Sequence, residues 1–100
     1  MGHQVIITQR AESDLQSIAE HIALDDPAAA IRFVHKLLDE AFSLAHSPQR
    51  GKMFLRKLGV RRIVCHPYLL YYRIEMDPDV VRVLRFWHGF RHPKTPRFED

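Results

Sequence analysis

The segment from Val80 to Arg91 reads Val-Val-Arg-Val-Leu-Arg-Phe-Trp-His-Gly-Phe-Arg, and we expect the sheet of this protein to form around it. Its first nine residues are almost all β-branched, aromatic or aliphatic, which is typical of a central strand. Arg82, Arg85, His88 and Arg91 interrupt the apolar run. Because a buried cation without a partner is costly, these side chains should face a cleft, a partner or solvent.

Two more β segments precede this strand, at 60–65 and 68–75, and short Pro-containing turns join all three. Short turns between apolar runs predict an antiparallel meander. Side chains alternate between the two faces of a strand. In the last strand, 80–88, we therefore expect Arg82 and His88 on one face, and Arg85 and Trp87 on the other.

The first half of the chain predicts a short strand at 4–8 and two helices. Apolar residues recur every three or four positions over 9–24 and again over 27–46. Thr8 and Asp26 are suited to cap these helices, and Pro27 fits a first helical position. The short connection between the helices predicts an antiparallel hairpin.

The order strand, helix, helix, three strands predicts an α+β fold in one domain, residues 1–100. The helical hairpin should pack on an antiparallel sheet of about four strands, with the first strand at an edge or beside the last strand. We expect a loop at 48–59, a free sheet face away from the helices, and an extended, loosely held tail at 90–100.

The charges are divided unevenly between the two halves. Residues 1–50 hold four Lys/Arg against seven Asp/Glu, and residues 51–100 hold eleven against five, so the halves carry −3 and +6. Eight of the eleven cations are arginines, which bind carboxylates and phosphates in a bidentate manner. The second half therefore predicts a polyanionic partner.

Several other classes of protein are not supported by the sequence. No apolar run is long enough to span a membrane, and the first residues do not resemble a secretory signal. The single cysteine, Cys65, fits a reducing compartment and a buried strand position. The histidines share no ligand spacing, so we expect neither a metal nor a cofactor.

Five short motifs, in this order, resemble the RelE/ParE toxin superfamily and its ParE branch in particular. They are Thr8-x-x-Ala11-Glu12-x-Asp14-Leu15; 26–30 (Asp-Pro-Ala-Ala-Ala) with Phe33; Ser47-Pro48-x-Arg50-Gly51; 68–73 (Tyr-Leu-Leu-Tyr-Tyr-Arg); and Arg82-Val83-Leu84-Arg85-x-x-His88-Gly89-x-Arg91. The resemblance implies a toxin of a bacterial type II toxin–antitoxin pair. It further implies a cytoplasmic location, a cognate antitoxin whose acidic or amphipathic C-terminal segment wraps the toxin, and contact with operator DNA only through that antitoxin.

Two activities are known in this superfamily: ParE-type toxins inhibit DNA gyrase, and RelE-type toxins cleave messenger RNA on the ribosome. The ribonuclease branch has an arginine where this chain has Leu69, and a tyrosine near the end of the last strand where this chain has His88-Gly89. The resemblance therefore favours a gyrase inhibitor, which is not an enzyme. A ribonuclease and a non-toxic protein-binding module remain as alternatives.

The expected site consists of cationic residues of the basic half. Those expected to bind the target or the antitoxin are Arg61, Arg62, Arg73, Arg82, Arg85, His88 and Arg91. If the chain is a ribonuclease, the catalytic set would be Arg62, Arg85, His88 and Arg91, since cleavage needs a proton donor and cations at the phosphorane. Charge reversal at Arg82, Arg85 or Arg91 should weaken function more than reversal at Arg10 or Arg32.

Overall fold

The computed structural model describes residues 2–76, 79–89, 91 and 94–98. Two helices pack on one face of a five-stranded mixed sheet, which confirms the predicted α+β class. The elements in chain order are β1 (Gln4–Ile7), α1 (Gln9–Ala23), α2 (Pro27–Ser43), β2 (Lys52–Leu55), a 3-10 turn (Arg56–Leu58), β3 (Val60–Cys65), β4 (Tyr68–Met76) and β5 (Asp79–His88). In the described part of the chain, no helix is long and apolar enough to cross a membrane.

Both helices begin at the predicted caps. The Thr8 side chain accepts a hydrogen bond from the Ala11 N–H, and the Asp26 side chain accepts one from the Ala29 N–H. Thr8 also joins helix to sheet, because its backbone N–H donates to the Val83 carbonyl at 3.1 Å. This anchor places the first turns of α1 beside β5.

The sheet order is β1-β5-β4-β3-β2, so β5 lies between β1 and β4. β1 runs parallel to β5, whereas the other neighbours are antiparallel. The two predicted positions of the first strand, at an edge and beside the last strand, are therefore both confirmed. The prediction of a loop over 48–59 is wrong at 52–55, where β2 pairs with β3. A four-residue edge strand is too short to show a clear alternation of apolar and polar residues.

The main core lies between the helices and the sheet. Leu37 of α2 and Leu44, which follows the end of α2, share one buried cluster with Tyr72 and Phe86 of the sheet, all at most 2% exposed. Cys65 is buried in this core, as predicted, and burial raises the pKa of its thiol. We call the opposite side of the sheet the outer face.

A β-bulge in β5 changes which residues share a face. β4 pairs Tyr71 with Arg85 but Tyr72 with Val83, so Leu84 is an additional residue on β5. Leu84 packs with Tyr71 in a second apolar cluster on the outer face, whereas Val83 belongs to the main core. The strict alternation predicted for β5 is therefore wrong beyond Val83.

The predicted free sheet face and loosely held tail are also wrong for the described tail residues. We call Lys94–Phe98 the C-terminal strap, because it lies against the outer face. Pro96 is buried, and the Phe98 ring lies 5.1 Å from the Tyr71 ring and 6.4 Å from the Phe54 ring, centroid to centroid. The rest of the predicted tail, residues 90, 92, 93, 99 and 100, lies outside the described residues.

Candidate functional site

The outer face carries a group of arginines on its three central strands. Arg73 on β4 is paired with Arg82 on β5, and Tyr71 on β4 is paired with both Arg85 and Arg62 of its two neighbouring strands. Residues paired across strands, and residues two apart on one strand, share a face. The bulge thus brings Arg82 and Arg85 to the same face, where the sequence predicted opposite faces.

Arg85 is the most buried of these cations and is held by Asp14 of α1. Its Nε and Nη2 atoms donate to the two Asp14 carboxylate oxygens at 2.7 and 2.9 Å, and the side chains are 8% and 15% exposed. The Phe86 N–H donates to the same carboxylate at 3.1 Å. Asp14 therefore joins α1 to the edge of β5 beyond the end of β1, and it neutralises Arg85.

The Arg85 guanidinium makes two more contacts on the outer face. Its Cζ lies 4.9 Å from the centroid of the Trp87 ring, which is a cation–π arrangement. Its Nη1 donates to the Arg97 carbonyl of the C-terminal strap at 2.9 Å. Arg85 thus positions an aromatic ring and the strap, and its own charge is not available to a diffusing partner.

Arg73 and Arg82 share one carboxylate. Arg82 donates to both oxygens of Glu75 at 3.0 Å, and Arg73 approaches the same carboxylate at 3.4 Å. The hydrogen bond from Arg82, with smaller contributions from Arg73, holds the pKa of Glu75 below its usual value. Two cations with one anion leave a net positive charge at this end of the outer face.

Arg62 lies on the outer face near the other edge of the sheet. It is half-buried, and its guanidinium carbon stands 4.7 Å from the centroid of the Phe54 ring. Arg61 points to the opposite side, where its Nη1 donates to the Gly51 carbonyl at 2.8 Å. Arg61 therefore holds the segment before β2 and does not join the outer-face arginines.

His88 lies on the helix side of β5. Its ring meets the Tyr68 ring edge-on, with centroids 5.1 Å apart, and Tyr68 belongs to the main core. Its Nδ1 atom accepts a hydrogen bond from the Arg91 N–H at 2.9 Å. This bond bends the chain after β5 and leaves the Arg91 side chain exposed.

A cleft of about 420 Å³ opens where β5 ends, between the start of α1 and the C-terminal strap. We call it the cation cleft, because most of its lining is basic. Its lining residues are Arg10, Arg85, Trp87, Arg91, Lys94, Thr95, Pro96 and Arg97. Among the described residues, no group of three His, Cys, Asp or Glu side chains is arranged to hold a metal ion.

The structure thus separates the seven predicted site residues. It gathers Arg62, Arg73, Arg82 and Arg85 on the outer face, places Arg91 at the cation cleft, and turns Arg61 and His88 towards the helix side. Sequence reasoning missed Asp14, Arg10 and the strap. Asp14 is 71 residues from Arg85, so no local spacing indicates their contact.

Comparison with known proteins agrees with this fold. A family model described as "ParE toxin of type II toxin-antitoxin system, parDE" matches residues 5–93, a region that ends one residue before the strap. A protein of Caulobacter vibrioides named "Toxin RelE2" is 35% identical over 88 residues, which cover 88% of this chain and 97% of that protein.

Two solved structures have similar folds. A subunit of the toxin–antitoxin complex RelBE2 from Mycobacterium tuberculosis superimposes with a TM-score of 0.68 and 28% identity, covering 88% of this chain and 99% of that chain. A subunit of the chromosomal ParDE system of P. aeruginosa gives a TM-score of 0.73 at 21% identity, covering 86% and 95%. The second similarity concerns the fold alone.

Proposed function

The chain belongs to the ParE toxin family of type II toxin–antitoxin systems, within the RelE/ParE superfamily, and on this premise we propose that it inhibits DNA gyrase and is neutralised by a cognate antitoxin. In this proposal the chain acts in the bacterial cytoplasm by binding its target. It needs no cofactor, and it catalyses no reaction.

The position of the tyrosines is the observation that favours gyrase inhibition over RNA cleavage. The chain has three tyrosines, all on β4, and Tyr68, Tyr71 and Tyr72 are at most 3% exposed. Burial raises the pKa of Tyr68 and Tyr72, which keeps both phenols neutral. A proton-transferring group must reach its substrate within hydrogen-bond distance, and all three tyrosine side chains are buried. The arrangement supports a binding surface more than a ribonuclease site.

The outer-face arginines other than Arg85, namely Arg62, Arg73 and Arg82, form the surface that we propose to meet the target. Arg62 is the strongest candidate for contact with the target, because it lies on this face and its guanidinium stacks on the Phe54 ring, which holds the guanidinium in place. Arg73 and Arg82 add a net positive charge beside it. A preorganised group of cations favours an acidic protein surface or nucleic acid.

The antitoxin has a different set of surfaces available. β1 and β2 are the two edges of the sheet, and an edge can accept a strand from a partner. On α2, Ile31 and Phe42 are large exposed apolar side chains, which suits an amphipathic helix. We propose that the cognate antitoxin uses an edge or this helix face, with its acidic residues towards the basic half of the toxin, and that operator DNA is bound only through the antitoxin.

Cleavage of messenger RNA on the ribosome is the second candidate. Arg62 and Arg73 on the outer face could stabilise a phosphorane, which favours this activity. His88 is the group nearest to a general acid, and its Nδ1 atom is occupied by the Arg91 N–H. Because the His88 Nδ1 atom is already hydrogen-bonded and the tyrosines are buried, we rank the ribonuclease below the gyrase inhibitor.

Two assays of the same protein separate these functions. The purified chain is tested for inhibition of gyrase supercoiling on relaxed plasmid, and transcripts are mapped in cells after induction of the chain alone. We expect loss of supercoiling with intact transcripts. Cut transcripts with normal supercoiling would establish the ribonuclease, and unaffected growth would favour a non-toxic binding module.

A matched pair of variants tests the proposed surface. Arg62→Glu should weaken gyrase inhibition by more than about tenfold, because charge reversal in an interface costs several kcal/mol. Arg32→Glu makes the same charge change on an exposed position of α2 and should leave inhibition unchanged. Equal inhibition by both variants would show that the outer face does not bind the target. Trp87 fluorescence confirms that both variants fold.

A further inference from the structure

The cation cleft concentrates positive charge that no described residue neutralises. Arg10, Arg91, Lys94 and Arg97 line it, all four are exposed, and in the described part of the chain none of them forms an ion pair. No described carboxylate lines this cleft. Four cations around one concavity repel each other, and an anionic ligand would relieve that repulsion.

The wall of the cleft is aromatic and fixed in position. Trp87 is half-buried and lines the cleft, and the Arg85 guanidinium lies over its ring. Asp14 holds Arg85 with two hydrogen bonds, so the ring and the cation are positioned together. A flat aromatic wall beside a group of cations is the combination that binds nucleic-acid strands, where bases stack and phosphates pair.

From this arrangement we propose that the cation cleft binds the phosphodiester backbone of a single-stranded nucleic acid, with a base against Trp87. The ligand class follows from two features: arginines that form no ion pair with a described residue match phosphate oxygens, and an indole ring matches a base. An acidic peptide would use the same cations but would not need the ring. The site contacts backbone and base planes, so it reads no sequence.

The C-terminal strap supplies half of these cations, Lys94 and Arg97, and its position is set by three contacts. Pro96 is buried, the Phe98 ring packs on Tyr71, and the Arg97 carbonyl accepts from Arg85. The strap lies beyond residue 93, where the match to the family model ends. The cleft is therefore incomplete without a segment outside the matched region.

Trp87 makes the test direct, because it is the single tryptophan of the chain. The purified 100-residue chain is titrated with the 12-nucleotide strands dT12 and rU12, and with a 12-residue oligoglutamate, while tryptophan fluorescence is recorded. We expect quenching by a nucleic-acid strand and a slope of log K against log[salt] of about −2.8 for four contacts. The affinity should then fall about 50-fold between 50 and 200 mM salt.

Two variants test the strap. Lys94→Gln/Arg97→Gln removes two contacts, so the slope should fall to about −1.4 and the salt-induced loss to about sevenfold. The matched control, Arg32→Gln/Arg56→Gln, removes two exposed cations that do not line the cleft and should keep the slope at about −2.8. Phe98→Ala keeps every cation but loses the ring contacts of the strap, so its slope should also fall.

The outcomes decide the proposal separately from gyrase inhibition. Quenching by dT12 alone, rU12 alone or both supports a nucleic-acid strand and identifies the sugar. Oligoglutamate binding of equal strength with equal quenching would overturn it in favour of an acidic peptide. An unchanged slope in Phe98→Ala would overturn the role of the strap. A chain that inhibits gyrase but does not bind either strand refutes this inference and leaves the proposed function intact.

Discussion

Removal of the Asp14 carboxylate should destabilise the protein more than any other single loss of an ion pair among the described residues. Asp14→Ala deletes both acceptors of the Arg85 guanidinium and the acceptor of the Phe86 N–H. Breaking a buried pair by removing one partner costs about 3–5 kcal/mol. Arg85 keeps the Arg97 carbonyl and the Trp87 ring, which places the expected loss near the lower limit, about 3 kcal/mol.

Urea unfolding followed by Trp87 fluorescence measures this loss. With a slope of about 1.5 kcal/mol per molar urea, a 3 kcal/mol loss lowers the midpoint by about 2 M. Asp14→Asn retains one carbonyl acceptor and loses one charge-assisted hydrogen bond, so it should cost about 2 kcal/mol. Glu40→Ala is the matched control, because the Arg50–Glu40 pair has the same chemistry with side chains 41% and 31% exposed and should cost less than about 1 kcal/mol.

A double-mutant cycle separates the pair from its surroundings. Arg85→Met with Asp14→Ala removes both charges, and the combined loss should be smaller than the sum of the two single losses, because no unpaired ion remains. If Asp14→Ala lowers the urea midpoint no more than Glu40→Ala, the Asp14–Arg85 pair does not hold α1 on β5 and the account of Arg85 is wrong.

Two other predictions concern single side chains. Tyr72→Phe removes a hydroxyl that donates to the Pro48 carbonyl at 2.6 Å and accepts from the buried Gly51 N–H at 2.8 Å. This substitution should lower the free energy of unfolding by about 2 kcal/mol in the same urea assay, and a loss below about 0.5 kcal/mol would contradict the prediction. Arg82 holds the pKa of Glu75 below its usual value of 4.5, so the ionised carboxylate stabilises the folded protein above pH 4.5, and this stability is lost as the pH falls through the lowered pKa. In Glu75→Gln, the urea midpoint should therefore depend less on pH between pH 5 and 3. The same pH dependence in the variant and the original protein would count against the pair.

The helices and the central strand follow from local signals, which is why the sequence predicts them. Thr8 and Asp26 cap the helices at the expected positions, since a side-chain acceptor at a helix start satisfies free backbone N–H groups. The apolar run of β5 identifies a strand buried on both faces, because only a central strand has so few polar residues. Turn residues fix the antiparallel order of β3, β4 and β5.

The remaining features depend on contacts between distant residues. The bulge at Leu84 is set by the pairing of β4 with β5. A single inserted residue in an apolar run has no sequence pattern that would identify it. The strap carries one proline and two cations among its five residues, a composition typical of a free tail, yet Phe98 packs in an aromatic site formed by Phe54 and Tyr71. Partner choice of this kind cannot be read from local spacing.

The cations of the second half therefore fall into two groups: those bound by other groups of the fold, and those exposed to solvent. Arg85 is neutralised by Asp14, and Arg61 is bound to the Gly51 carbonyl, so substitutions there test stability first. Charge reversal at Arg85 would place a carboxylate against Asp14 and disrupt the contact between α1 and β5, so it would not test target binding. Arg10, expected from the sequence to be a neutral control, lines the cation cleft and belongs with the functional variants. Arg32, exposed on α2, remains the appropriate control for the outer face and for the cation cleft, because it lines neither of them.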